Sequence, residues 1–215
     1  MSEAFTFPTI VADPDWRYAN FGCAKHGAAR AHYPGSTAET IASIPVGRWA
    51  RKNSTLFLWA TLPKLDQAVD VARAWGFPEL VTGCPWVKTT PKAGEIKRGI
   101  GFWWQGTAEL LLVFRRGRAP APAQKDRAKM LGLLWGGLDG LSHLGRVSDP
   151  VFYAPRAAHS RKPLSLTEWI ESRMPGPYLE LYARVDRPGW TCWGHETGWH
   201  LSAEGVKQIK QEEAK

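Results

Sequence analysis

The residues best suited to do chemistry are Asp13-Pro14-Asp15-Trp16, placed directly after the apolar run 5–12. That run reads as a buried strand, and Asp-Pro ends it, because proline lacks an N–H donor and resists continuation of the ladder. Ligands of open α/β sheets bind beyond the carboxyl ends of strands, so a short polar motif there is well placed. An exocyclic amine on a heteroaromatic ring is a poor nucleophile, since its lone pair is delocalised into the ring. The Asp13 carboxylate and the Pro14 carbonyl could accept its two N–H bonds and localise that pair toward an electrophile, with Trp16 stacked on the ring. Catalysis of this kind is mainly positioning and electrostatics. The same four residues also make an ordinary turn after a strand, and taken alone they favour that plainer reading.

The elements that must position this motif follow from hydrophobic pattern. After the strand at Phe5 to Ala12, a helix is expected over Ser36 to Ile44, capped by Ser36 or Thr37 and ended by Pro45. Leu56 to Ala60 is a second strand. Leu65 to Trp75 carries Leu65, Ala68, Val69, Ala72 and Trp75 on one helical face, and Gly76 closes it. Strands are expected at Glu79 to Lys88 and Glu109 to Phe114, a helix at Leu166 to Arg173, then strands at Tyr178 to Ala183 and Trp190 to Trp193. Strands alternating with helices predict an α/β sheet covered on both faces. Arg115 to Arg127 is basic and rich in proline and alanine, which predicts a solvated loop. Met130 to Val147 is dominated by Leu and Gly without a clean helical period; target recognition, an oligomer contact and plain packing all stay open for it. No repeat or domain boundary interrupts the chain, so residues 1–215 are expected to form one domain.

Charge and composition point to a partner. The chain has 215 residues, a net charge of +8 and 12 Trp. Excess positive charge attracts anions at long range, nucleic acid foremost, and Trp stacks on unpaired bases as well as filling cores. Cys23, Cys84 and Cys192 are odd in number and widely spaced, which predicts free thiols in a reducing compartment. Cys23 and His26 have the spacing of two metal ligands, but no second pair completes a site, so no metal is expected. The N-terminal residues lack the pattern of a signal peptide, and no apolar run is long enough to cross a membrane. A cytoplasmic protein is expected.

The motif has company along the chain. ADPDWRY is followed by HYP (His32 to Pro34), LFLWATLP, AWGF, WVKT (Trp86 to Thr89), GFWW (Gly101 to Trp104) and ELLLV (Glu109 to Val113). APRAAHSRKP (Ala154 to Pro163), PGPYLELYAR (Pro175 to Arg184) and PGWTCWGHE (Pro188 to Glu196) complete the series. In this order they resemble the adenine-N6 methyltransferase family that includes the catalytic subunit of the eukaryotic messenger-RNA methyltransferase and many bacterial and phage relatives. The resemblance covers roughly residues 7–196, leaving out a divergent insertion at 118–150 and the C-terminal tail.

The resemblance implies a Rossmann-like α/β fold with a mixed central sheet, binding S-adenosyl-L-methionine and methylating the 6-amino group of adenine in nucleic acid, DNA before RNA. It assigns catalysis to Asp13, Pro14, Asp15 and Trp16. It assigns the cofactor to Ala12, Asp13, Ser160, Lys162, Glu180, Arg184, His195 and Glu196, with Lys162 on the methionine carboxylate and Arg184 and Glu196 toward the ribose. Tyr33, Lys88, Glu109, Arg156 and Arg161 are the substrate-side candidates, and Lys92, Lys97 and Arg98 add positive charge beside them. Two positions depart from the family pattern. Asp15 stands where the family has a second proline, exchanging a fixed φ for a charge, and His195 replaces an amide. These departures leave open a catalytically impaired nucleic-acid-binding partner subunit. An RNA enzyme also stays open, as do a homodimer and methylation of another amine, such as the 4-amino group of cytosine, to which the same hydrogen-bond logic applies.

Overall fold

The computed structural model describes residues 6–18, 35–90, 95–99, 103–119, 121, 151–155 and 162–194, and the backbone of 199–202 and 205–208. In chain order the elements are β1 (Phe7–Ala12), α1 (Ala38–Ala42), α2 (Val46–Trp49), β2 (Ala50–Ala60), a 3-10 turn (Leu62–Lys64), α3 (Leu65–Ala74), β3 (Glu79–Thr89) and β4 (Ala108–Arg116). They continue with β5 (Phe152–Pro155), α4 (Leu164–Arg173), β6 (Tyr178–Leu181), β7 (Trp190–Trp193), β8 (Trp199–Ser202) and β9 (Gly205–Gln208). Most of the insertion at 118–150 lies outside the described residues.

Seven strands form one sheet in the order β5-β3-β4-β2-β1-β6-β7, and β8 and β9 form a separate antiparallel pair. Within the large sheet β1 runs parallel to β2 and β6, β6 to β7, and β3 to β5. Only β4 is reversed, antiparallel to both β2 and β3. The carboxyl ends of the other strands therefore share one edge with the amino end of β4. At β1 the chain steps first to β2 on one side and later to β6 on the other, which makes this the topological switch point of the sheet. This is the mixed, Rossmann-like α/β arrangement expected above.

Burial explains why the central strands read as continuous apolar runs. Alternate residues of β2 go to opposite faces, and both faces are covered. Leu56 and Leu58 join Phe7, Ile10, Val71 and Trp75 in a layer with α1, α2 and α3. Phe57 and Trp59 join Trp86, Phe152, Trp169 and Ile170 in a layer with α4. Thr37 is the cap of α1, its side chain accepting from the Thr40 amide at 3.2 Å. The expected strand at 178–183 ends at Leu181, because Tyr182 takes a left-handed φ of 64°. Among the described residues no helix is long and apolar enough to cross a membrane.

An aromatic pillar lies under the carboxyl edge. Trp86 stacks on Phe152 at 6.4 Å, Trp59 meets both edge-on, and the Trp86 indole donates to the Ala154 carbonyl at 3.0 Å. Trp86→Ala removes a fully buried ring and the clasp on β5, and should cost about 3–5 kcal/mol in urea unfolding. A loss under 1 kcal/mol would mean that the pillar does not support the edge.

Candidate active site

Three segments distant in sequence meet at the carboxyl edge. Asp13 follows β1, its amide donating to the Leu181 carbonyl of β6 at 3.3 Å. Glu109 is at the start of β4, opposite Trp86 of β3, and is brought there because β4 alone runs backwards. Lys88 is near the end of β3, and Lys162 lies between β5 and α4. The period-two alternation of the strands puts Lys88 on the same face as Trp86, and Glu109 on the face of Leu111.

Their side chains form one connected set of charges. The Lys162 ammonium is 2.7 Å from Asp13 Oδ1 and 2.9 Å from Glu109 Oε2. Lys88 Nζ reaches the other Glu109 oxygen at 2.5 Å. Both ammonium groups also lie over indoles, Lys162 over Trp59 at 5.2 Å and Lys88 over Trp86 at 5.4 Å, so the pillar supports them electrostatically as well. Asp13 keeps 24% of its side-chain surface open.

Burial and pairing act differently on each member. Burial raises the Asp13 carboxyl above its ordinary value, and the nearby Lys162 charge recovers only part of that shift. Burial also opposes ionisation of Glu109, but Lys162 and Lys88 overcome it and hold Glu109 below the usual carboxylate range. Lys162 is discouraged by burial from carrying charge, yet Asp13 and Glu109 more than compensate and raise it. The outcome is a fixed ammonium between two carboxylates of unequal acidity.

The turn after β1 is held by its own bonds. Trp16 N donates to the Pro14 carbonyl at 2.9 Å, and Ser36 N donates to the Asp15 carbonyl at 2.7 Å. A carbonyl has two lone pairs, so Pro14 retains acceptor capacity. Gly35 has φ of 68°, and a Cβ there would lie 2.8 Å from Arg17 Cα, so this crossing requires glycine. Asp15 Oδ1 is buried and finds no hydrogen-bond partner among the described residues.

Residues 7–196 match the MT-A70 family. The chain belongs to that family. Among curated relatives, it is 23% identical to the type II methyltransferase M.MunI of Mycoplasma sp, over 88% of this chain and 77% of the relative. It is 28% identical to the N6-methyladenosine RNA methyltransferase MTA1 of Cryphonectria parasitica, over 91% of this chain and 53% of that protein. The human N(6)-adenine-specific methyltransferase METTL4 is also 28% identical, over 89% of this chain and 37% of its own length. The chain thus spans about half or less of the latter two.

The MT-A70 residues expected from sequence fall into three groups. Asp13, Lys88, Glu109 and Lys162 come together, and Arg184 is near enough to draw the Asp13 carboxyl slightly downward. Glu180 lies on β6 with its carboxylate 3.1 Å from Arg187 Nε, and Arg187 also donates to Thr167 of α4, so Glu180 ties the sheet to that helix. Tyr33, Arg156, Ser160, Arg161, His195 and Glu196 lie outside the described residues, as do Cys23 and His26. Cys84 and Cys192 are buried free thiols, each pushed up to about 12 by burial. At neutral pH they are packing groups, not nucleophiles.

Trp16 requires a correction. Stacking on a substrate ring was expected, but only 7% of the residue is exposed and it packs in the layer with Ile41 and Leu58. Its indole N–H is spent on the Trp59 carbonyl at 3.0 Å, because a buried N–H needs an acceptor. Trp16 pins the turn after β1 to β2 and is nearly covered. Two aromatic residues were missed instead. Tyr18 bonds Thr61 at 2.7 Å with Lys64 over its ring, and Tyr182 packs edge-on to Trp193 at 5.3 Å beside Asp15. Tyr18 closes the quoted ADPDWRY and Tyr182 is inside YLELYAR, so motif membership was the available signal.

Glu109→Gln keeps the shape and removes the charge shared by two lysines. Stability at pH 7 should fall by about 2 kcal/mol, the scale of a charged hydrogen bond in a partly exposed network. Because the folded value of Glu109 is lowered, its contribution is present above the unfolded value and lost as pH falls through the folded one. The difference between native and variant urea midpoints should therefore vanish in strong acid. A difference that persists there would show that charge is not its cause.

Proposed function

We propose that the chain transfers a methyl group from S-adenosyl-L-methionine to the 6-amino group of adenine in nucleic acid, with DNA the first substrate. The observation that carries this reading is Asp13 at the switch point: a partly open carboxylate, fixed by Lys162, beside the Pro14 carbonyl. Together these acceptors suit the two N–H bonds of an exocyclic amine. They would orient its lone pair and favour the positive charge that develops on nitrogen. Membership of the MT-A70 family and the methyltransferase names of its relatives support the same reaction. The choice of DNA rests on the type II methyltransferase, since this chain spans the larger share of that relative.

The residues at the switch point fit such a cofactor. Lys162 is a point charge suited to the methionine carboxylate, and the Tyr182–Trp193 pair supplies an apolar wall. One Asp15 oxygen, without a hydrogen-bond partner among the described residues, is an acceptor beside them for a cationic group. When bound, the cofactor supplies an electrophilic methyl group on a sulfonium. What the chain contributes is orientation: Asp13 and Pro14 hold the amine, Lys162 and Glu109 hold Asp13, and Trp16 holds the turn. Arg184 on one side and His195 and Glu196 beyond β7 are assigned to the ribose.

The purified chain, labelled cofactor and duplex DNA, single-stranded DNA or RNA should give methyladenosine on digestion to nucleosides. Cofactor binding with no methylated nucleoside from any substrate would favour the impaired-partner reading, and methylcytosine would move the target to cytosine. Asp13→Ala should lower turnover at least a thousandfold, about 4 kcal/mol of transition-state stabilisation, without unfolding the chain. Retained turnover would remove Asp13 from catalysis. Asp15→Pro discriminates further. An unchanged rate makes the charge neutral to function, whereas a large gain shows that the natural site is impaired.

A further inference from the structure

Tryptophan is costly to leave in water, yet Trp103 is 88% exposed and Trp104 85% exposed. The two adjacent rings lie in a bend of the β3–β4 connection, a segment that the catalytic chemistry does not use. Its position follows from the sheet. The end of β3 and the start of β4 are at the carboxyl edge, so the connection between them rises from the side of the sheet that carries Asp13.

The connection is anchored in the charged cluster. Lys88 N donates to the Thr107 carbonyl at 2.8 Å, and Lys97 N donates to the Lys88 carbonyl at 2.7 Å. Further out, Gly99 N donates to the Gly106 carbonyl at 2.8 Å. A Cβ on Gly99 would lie 2.5 Å from that carbonyl oxygen, so the two arms approach as closely as glycine permits. This pinch fixes the arms that carry the two rings. Glu109, which holds both cluster lysines, is two residues beyond Thr107. Lys97 and Arg98, both exposed, directly precede Gly99 on the arm that follows β3.

We propose that Trp103 and Trp104 form a stacking platform for unpaired bases of a single nucleic-acid strand, next to the nucleotide whose adenine enters the site. The proposal rests on the nucleic-acid reading above and adds the means of holding the strand. Aromatic faces take bases of any sequence, and neighbouring cations take the phosphates between them. An adenine must leave a duplex stack before its amine can be reached, so the bases beside it lose a stacking partner too. A pair of open indoles supplies a replacement. The excess of positive charge, +8 for the chain, suits a polyanion better than a second copy of the same cationic protein.

The test compares native protein with Trp103→Ala/Trp104→Ala and Trp103→Phe/Trp104→Phe, using fluorescein-labelled single-stranded DNA and RNA of the same sequence around one adenine. Each strand is made with ordinary or abasic nucleotides flanking that adenine, and binding is read by anisotropy. The alanine variant should bind ordinary strands at least tenfold more weakly, and the phenylalanine variant should recover most of that loss. Abasic flanks should weaken the native protein by a similar factor and leave the alanine variant unaffected. Such non-additivity identifies base stacking, which a structural role of the rings would not produce. Because both rings are exposed, the urea midpoint of the variants should match the native one.

Equal binding by native protein and alanine variant, or equal sensitivity to abasic flanks in both, would overturn the platform. A native oligomer dispersed by the alanine changes, with nucleic-acid affinity unaltered, would overturn it in favour of a protein contact. Failure of the parent reading looks different: native protein then neither binds nor methylates any strand. The DNA and RNA arms decide which sugar backbone the platform prefers.

Discussion

An ammonium shared by two carboxylates organises the carboxyl edge of this protein. Asp13 and Glu109 come from opposite ends of antiparallel-related segments, and without a cation between them two partly buried negative charges would repel. Lys162 meets one oxygen of each, and Lys88 takes the remaining oxygen of Glu109. Both cations are themselves supported by indole faces. The site is therefore a neutral set of alternating charges resting on an aromatic floor, with one carboxylate partly open.

This arrangement accounts for a less obvious feature of the sheet, its single reversed strand. In a wholly parallel sheet the start of β4 would be at the opposite edge, and Glu109 would be a strand length away from Asp13. Reversal of β4 brings an acid from the beginning of one strand to the ends of its neighbours. The cost is a connection between β3 and β4 that stays on the functional side. That connection carries the exposed indoles, so one topological choice sets both the charge cluster and the aromatic surface beside it.

Tryptophan does three different jobs here, and exposure separates them. Trp59 and Trp86 are fully covered and support charge from beneath. Trp16 is nearly covered and uses its N–H as a clamp between the turn after β1 and the end of β2. Trp103 and Trp104 are open. Asp15 has a similar duality: its backbone carbonyl secures the turn through Ser36, while one side-chain oxygen finds no partner among the described residues. A proline would supply the same carbonyl but not the carboxylate. The departure from the family pattern is thus confined to a side chain whose backbone role is independent of its identity.

Much of this was legible in the sequence. Apolar runs and capping residues placed β1, α1, α3, β4 and β7, because strand alternation and helix ends are local properties. The ordered motifs identified Asp13, Lys88, Glu109 and Lys162 as members of one site. Short or polar elements were not legible: β5 has only FYAP, α2 is a single turn after Pro45, and the first half of β2 reads ARKNST. These acquire their conformation from neighbouring strands and packing, which no local period encodes. Nor could the motif reveal which of its members faces outward. Asp-Pro-Asp-Trp specified a turn and a set of functional groups, but only the fold determined that Asp13 meets Lys162 while Trp16 turns inward to Trp59. The reason is physical: burial and pairing are properties of segments brought together from far apart, and they decide which group remains open for chemistry.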